Sequence, residues 1–176
     1  EGEGVENRLQ QLVAWIDAMT IPNAERRTDT ASRLIVASAC DIYRAMLDAE
    51  SVANWRPPWG MSARIERFDD RPGGGYRMAF IYDDASVAQG KTSPREDVFE
   101  GRFAELIPDE RIVEEMDFES PDPTFAGTMR VITTLTPTVG GTLVTLTCEN
   151  VPSGISEADH QAGIASTLKN LAAFIE

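Results

Sequence analysis

The central part of the chain alternates apolar and polar residues in short runs, which predicts a series of β-strands. The predicted strands cover residues 62–68, 75–83, 96–106, 110–119, 127–136 and 142–149, with glycine- and proline-rich turns between them. An earlier strand is predicted in TASRLIVASA, residues 30–39. Because strands follow one another without helices between them, the sheet is expected to be mainly antiparallel.

Helical patterns surround these strands. Two short helices are predicted after the first strand, over DIYRAMLD with Ser38 as the N-cap and over DAESVANW, which ends before Pro57 and Pro58. Asp41 is expected to accept a hydrogen bond from the Ser38 backbone amide. A long helix is predicted from Ser156 to Glu176, because apolar residues recur on one face at Ile164, Leu168, Leu171 and Ile175.

The first 29 residues are interpreted as an appendage to a single domain. Apolar residues at three- and four-residue steps predict an amphipathic helix over 5–20, and the polar stretch NAERRTDT follows it. We therefore divide the chain into an N-terminal helix with its connector, 1–29, and an α+β domain, 30–176. The helix is expected to pack on the same chain or on a second copy of it, and in the second case the protein would form a homodimer.

Period-two alternation indicates which strand residues face the long helix. Most of the inward residues are aromatic or apolar, and they include Tyr76, Met78, Phe80, Phe99, Phe103, Met116, Phe118 and Met129. A filled core and a ligand cavity are both consistent with such faces. Gly163 inside the helix costs about 1 kcal/mol relative to alanine, and methionines suit an adaptable apolar pocket. We therefore favour a cavity between the sheet and the helix.

Polar candidates for orienting a ligand are few. The same alternation turns Glu114 and Thr133 inward, and His160 lies one turn before Ile164. As the only histidine, His160 is interpreted either as a contact or general acid/base at the cavity mouth, or as a structural histidine bonded to a neighbouring strand or loop.

Charge and composition narrow the possible functions. A net charge of -13 argues against binding to nucleic acid or to a membrane surface. The chain has no long apolar run and no secretion-signal pattern, so we expect no membrane span and a cytoplasmic location. Cys40 and Cys148 are interpreted as small buried hydrophobes, and a disulfide between them is the alternative. With one histidine and no cysteine cluster or nucleotide-binding motif, no metal site and no cofactor are expected.

Six segments resemble, in consistent order over about residues 30–176, the bacterial SRPBCC proteins related to the C-terminal domain of the heat-shock-protein ATPase activator. They are WRPPWGM, GGGYRMAF, EGRFAELIPDERIVEEMDF, GTMRVITTLTP, GGTLVTLTCENVPSGIS and DHQAGIASTLKNLAAFIE. The resemblance implies the START-like helix-grip fold of lipid-transfer domains and the birch pollen allergen. In that fold a curved antiparallel sheet surrounds a long C-terminal helix, with a cavity beneath the helix.

The resemblance also implies a set of functions. Members bind or transfer apolar small molecules, and a minority act on them as cyclases or hydrolases. We predict a module that binds an apolar or amphipathic small molecule. The alternatives are an enzyme that uses the same cavity, with His160 or Glu114 as acid or base, and a chaperone partner. The predicted ligand-binding residues are Trp55, Trp59, Tyr76, Met78, Phe80, Phe99, Phe103, Glu114, Met116, Phe118, Met129, Thr133, His160, Gly163, Ile164, Thr167 and Leu171.

Overall fold

The computed structural model describes residues 26–86 and 89–176, and the helix predicted over 5–20 lies outside them. Within these residues the first strand and two short helices precede a run of strands, and a long helix ends the chain. The elements are β1 (Asp29–Ile35), α1 (Ala39–Met46), α2 (Ala49–Trp55), β2 (Met61–Phe68), β3 (Gly75–Tyr82), β4 (Glu96–Ile107), β5 (Arg111–Glu119), a 3-10 turn (Pro123–Phe125), β6 (Met129–Thr138), β7 (Gly141–Glu149) and α3 (Glu157–Ile175).

The strands form one antiparallel sheet in the order β1-β7-β6-β5-β4-β3-β2. Consecutive strands from β2 to β7 are therefore neighbours, whereas β1 and β2 lie at opposite edges and are connected through α1 and α2. Register shifts between Ile65 and Arg67 and between Phe103 and Glu105 interrupt two of the ladders. Such bulges increase strand bending and twist, which suits a sheet that curves around a helix. The predicted α+β architecture is confirmed.

The long helix α3 covers the concave face of the sheet. Its apolar stripe is buried at Ile164, Leu168 and Leu171, and Ile175 is partly buried against the same core. The inward alternation predicted for the strands also holds, because Phe99, Met129 and the other apolar members of these faces join one hydrophobic cluster. In the described part of the chain, no helix is long and apolar enough to cross a membrane.

Helix caps explain where the predicted boundaries shift. β1 ends at Ile35 instead of 39, because Ser38 leaves the strand to cap α1. The Ser38 hydroxyl accepts from the Asp41 amide at 3.1 Å and donates to the Asp41 carboxylate at 2.7 Å. The donor to the Asp41 carboxylate is thus the Ser38 hydroxyl, and the predicted hydrogen bond from the Ser38 backbone amide is wrong. Ser156 caps α3 through the same pair of bonds to Asp159.

Both cysteines are free thiols. Cys148 is buried, as predicted, and its side chain lies on the inward face of β7. Cys40 is only partly buried, because it lies in the first turn of α1 near the surface. The interpretation of both as buried hydrophobes is therefore correct for one of them.

Candidate functional site

A cavity of about 310 Å³ lies between the concave face of the sheet and α3. Side chains from α1, α2, α3 and every strand except β1 line it, and most of them are apolar. Small-molecule sites in proteins typically occupy about 300–1,000 Å³ and are lined mainly by apolar side chains with a few polar groups. The cavity lies at the small end of that range.

Twelve of the predicted ligand-binding residues line this cavity. They lie on six elements of the fold, and most were predicted from strand alternation and from the spacing of residues on one helix face. They are Trp55, Phe80, Phe99, Glu114, Met116, Phe118, Met129, Thr133, His160, Gly163, Ile164 and Thr167. The Trp55 ring is held in place by a hydrogen bond from its indole nitrogen to the Ala45 carbonyl at 2.9 Å.

Four predicted residues lie beside the cavity in filled core. Tyr76, Met78, Phe103 and Leu171 are at most 1% exposed. Tyr76 and Phe103 pack edge to face, with ring centres 5.7 Å apart, and both contact the Phe68 ring. All four face inward as predicted, but none of them lines the cavity. For Tyr76 and Phe103, neighbouring aromatic rings occupy the adjacent space.

Trp59 lies elsewhere. Its side chain is 90% exposed and sits in the turn between α2 and β2. It borders a separate surface depression formed with Pro57, Asn170 and Phe174. The two prolines before it end α2 and turn the chain outward, which is why Trp59 does not reach the cavity as predicted.

A buried ion pair forms one polar region of the cavity. Arg56, at the C-cap of α2, donates from Nη1 to Glu114 Oε1 at 2.9 Å and from Nη2 to the Tyr76 hydroxyl at 2.9 Å. Burial opposes the charge on Arg56, but the Glu114 carboxylate outweighs it and raises the pKa of the guanidinium. Burial also raises the pKa of the Tyr76 hydroxyl. The guanidinium is therefore charged and the phenol neutral at neutral pH.

Sequence reasoning missed Arg56, although it follows the predicted Trp55 directly. The sequence did offer one signal, because Arg56 directly precedes the two prolines that end the predicted helix. The end of this helix packs against the sheet, which holds the Arg56 side chain there. Its partner Glu114 is 58 residues away in the chain. Only the packing of α2 against the sheet makes them neighbours.

Thr133 supplies a second polar group next to this pair. It is fully buried, and its hydroxyl has no hydrogen-bond partner among the described residues. Glu114 pairs with Val131 across β5 and β6, so Thr133 is its diagonal neighbour on the same face. We call Arg56, Glu114 and Thr133 the polar floor of the cavity.

His160 contacts both the cavity and a neighbouring strand. Its Nδ1 lies 2.6 Å from Asp29 Oδ2 at the start of β1. Arg27 donates to the same carboxylate at 2.7 Å and to the Ile155 carbonyl at 2.9 Å. Burial opposes ionisation of Asp29, but hydrogen bonds from Arg27 and His160 outweigh it and lower the pKa of the carboxyl. Both predicted interpretations of His160 therefore have a structural basis.

Sequence reasoning missed Arg27 and Asp29, which fell in the connector assigned to residues 1–29. β1 begins at Asp29, and Arg27 already contacts the domain. No local pattern marks this contact, because Asp29 and His160 are 131 residues apart.

The other end of the cavity carries Lys91, Asp97, Tyr82 and Asp159. Lys91 Nζ lies 2.7 Å from Asp97 Oδ2 and 5.3 Å from the centre of the Phe118 ring. Sequence reasoning also missed Lys91, because no local pattern marks it as part of a site. Its pairing with Asp97 leaves this end of the cavity without a free cation among the described residues.

Comparisons with known proteins agree with this architecture. A family model described as Activator of Hsp90 ATPase homolog 1-like protein matches residues 36–176. A solved structure from Chromobacterium violaceum is similar at 32% identity with a TM-score of 0.75, covering 85% of this chain and 96% of that one. Among the curated proteins, none matches.

Two further similar structures show the fold alone. An AHSA1-like protein from Aeromonas hydrophila has 18% identity and a TM-score of 0.65, with 85% of this chain and 92% of that chain covered. A protein from Mycobacterium smegmatis has 17% identity and a TM-score of 0.61, with 85% and 90% covered. The helix-grip fold and the resemblance stated from six sequence segments are thus confirmed. The chain belongs to the Activator of Hsp90 ATPase homolog 1-like protein family.

Proposed function

We propose that this domain binds an apolar or amphipathic small molecule in the cavity beneath α3. The observation that carries the proposal is the empty volume of about 310 Å³ among apolar side chains. Protein interiors are close-packed, with few voids larger than a water molecule. This space equals roughly ten water molecules at about 30 Å³ each, and a ligand would restore the lost packing contacts.

The polar groups of the cavity support the same proposal. An apolar site becomes selective when a few fixed hydrogen-bonding groups orient the ligand. Arg56 and Glu114 hold each other in place, and Thr133 presents a hydroxyl with no partner in residues 26–86 and 89–176. Buried polar groups normally have a hydrogen-bond partner, so this hydroxyl is a candidate contact for a ligand.

Gly163 allows a direct test of where a ligand binds. A Cβ at this position would meet no atom within 4 Å, and Gly163 lines the cavity. The fluorescent apolar probe N-phenyl-1-naphthylamine is expected to bind the wild-type protein and the Gly163→Ala variant with similar affinity. Gly163→Phe should fill the space and weaken binding at least tenfold, with the melting temperature measured for each variant. A wild-type protein that does not take up the probe, or a Phe variant that binds like the Ala variant, would refute the proposal.

A second candidate function is hydrolysis in the same cavity, favoured by the His160–Asp29 contact. Because Nδ1 is directed at the Asp29 carboxylate, Nε2 is the ring nitrogen left to act as a general base. We propose 1-naphthyl acetate as the substrate to test. His160→Asn keeps an amide near Asp29 but removes Nε2, so turnover should fall at least 100-fold while probe binding persists. No turnover by the wild-type protein, or equal turnover by the variant, would exclude this activity.

Three other predictions stay predictions from the sequence. A chaperone interaction is suggested by the sequence resemblance and by the description of the matching family, and co-purification with the cognate chaperone tests it. A homodimer is tested by sedimentation of the full chain, including residues 1–25. A cytoplasmic location is tested by cell fractionation.

A further inference from the structure

The polar floor holds two opposite charges in contact inside an apolar cavity. Arg56 and Glu114 lie 2.9 Å apart, and both side chains are largely buried. Replacing such a pair with apolar residues of similar volume is often neutral or stabilising. Stability therefore gives no reason for placing this pair where an apolar ligand would lie, whereas recognition of a polar group on that ligand does.

Charge balance restricts what the polar floor accepts. Arg56 and Glu114 cancel each other, so a carboxylate or an ammonium group on the ligand would be buried beside an ion pair that is already satisfied. At the other end of the cavity Lys91 is paired with Asp97 at 2.7 Å. Asp159 also borders the cavity, but it is exposed to solvent. A buried ionic group without a partner is strongly unfavourable, so the deep part of the ligand must be uncharged.

Thr133 determines which uncharged group fits. A hydroxyl both donates and accepts a hydrogen bond, and the buried Thr133 hydroxyl has neither partner among the described residues. Glu114, the diagonal neighbour of Thr133 on this face of the sheet, is already paired with Arg56. A ligand atom that can serve the Thr133 hydroxyl in either role needs both donor and acceptor capacity, which an alcohol or phenol oxygen provides.

The cavity volume limits the rest of the molecule. At about 310 Å³ the cavity is at the small end of the range for ligand sites, so it restricts the ligand to a compact molecule. The apolar walls contributed by Phe80, Phe99, Met116 and Met129 suit a compact hydrocarbon or one or two fused rings.

We infer that the cavity selects a compact, uncharged apolar molecule bearing a hydroxyl group, whose oxygen bonds to Thr133 beside the Arg56–Glu114 ion pair. This inference rests on the proposed function and names the class of ligand. It assigns Thr133 as the residue that distinguishes a hydroxylated ligand from its hydrocarbon analogue.

The test compares three ligands of one shape as competitors of bound N-phenyl-1-naphthylamine at pH 7. They are 2-naphthol, its hydrocarbon analogue 2-methylnaphthalene, and the anion 2-naphthoate. On the wild-type protein, 2-naphthol should compete at least tenfold better than either of the others. When 2-methylnaphthalene binds, the buried Thr133 hydroxyl stays without a hydrogen-bond partner, and this weakens binding of the hydrocarbon.

Three variants at two adjacent residues test whether Thr133 causes this preference. Thr133→Val keeps the shape and removes the unpartnered hydroxyl, so 2-naphthol should lose its advantage and compete within threefold of 2-methylnaphthalene. Thr134→Val is the matched control, because Thr134 follows on β6 but is exposed on the opposite face. It should preserve the tenfold preference, and Thr133→Ser should restore most of it.

Glu114→Gln tests the charge argument independently. This change leaves the Arg56 charge without its counter-ion, so 2-naphthoate should gain at least tenfold relative to 2-naphthol. If the probe binds the wild-type protein but the three ligands compete equally, the inference is wrong and the proposed function stands. A preference unchanged by Thr133→Val, or no gain for 2-naphthoate in Glu114→Gln, also overturns it. Failure of the probe to enter the wild-type cavity is instead the failure of the proposed function.

Discussion

Asp29 shows how a single buried carboxylate joins the two ends of this domain. It is 2% exposed at the start of β1 and contacts Arg27 and the imidazole of His160 in the first turn of α3. A buried carboxylate without partners would be destabilising. Here two hydrogen-bonding partners offset the burial, so the ionised form is the one that the fold stabilises.

The lowered pKa of Asp29 predicts a pH-dependent contribution to stability. A carboxyl whose pKa is lower in the folded state stabilises the fold above its unfolded pKa of about 3.9, and that contribution is lost as the pH falls through the folded value. We expect Asp29→Asn to reduce the free energy of unfolding by about 1–3 kcal/mol at pH 7. The difference from wild type should shrink when urea unfolding is repeated below about pH 4.

Asp70 provides the control for this experiment, because its side chain is exposed. Asp70→Asn should change stability by less than about 0.5 kcal/mol at either pH. An Asp29→Asn variant as stable as the wild type at pH 7 would contradict the role assigned to this carboxylate.

Two glycines inside regular elements serve opposite purposes. Gly101 lies in β4 where any side chain would overlap the Tyr76 ring, whereas a side chain at Gly163 in α3 would enter open space. The first glycine allows an aromatic ring to lie directly on the strand. The second leaves part of the cavity unfilled at a cost in helix stability.

Alanine substitutions at these glycines should therefore have opposite signs. Gly163→Ala is expected to raise the free energy of unfolding by about 1 kcal/mol, because alanine favours the helix and meets no neighbour. Gly101→Ala should lower it by about 1–3 kcal/mol through overpacking against Tyr76. Urea unfolding of both variants measures the effect, and a change of the same sign in both would refute the packing argument.

At the level of elements, the sequence predicted which way the strand side chains point, but it did not predict which of them face filled core and which face the cavity. Period-two alternation correctly turned Tyr76 and Phe80 to the same face of β3, because side-chain direction in a strand is a local property. It could not predict that Tyr76 would be enclosed by aromatic rings while Phe80 borders a cavity. That difference depends on side chains from other strands.

At the level of the whole molecule, the two cysteines differ in how deeply the fold buries them. Cys148 lines the cavity, and burial raises the pKa of its thiol to about 12. Only the thiolate reacts, and at pH 8 it is about one part in 10⁴ of this thiol. Cys40 is partly exposed on α1.

Iodoacetamide should therefore label the native protein once, at Cys40, and label Cys148 only after unfolding. Mass spectrometry of the intact protein measures the number of labels with time at pH 8. The Cys40→Ser variant is the control and should remain unlabelled while folded. Equal labelling of both cysteines in the native protein would contradict the suppression of the Cys148 thiolate by burial.

The sequence by itself determined the order of the elements, the antiparallel pairing and the apolar face of α3, because periodicity, turns and caps act over a few residues. Only the tertiary structure decided which polar groups meet. Arg56 reaches Glu114 across 58 residues, and Asp29 reaches His160 across 131. The sequence could not predict the volume of the cavity beside them either. That volume is the difference between the space that the curved sheet encloses and the volume of the side chains that occupy it.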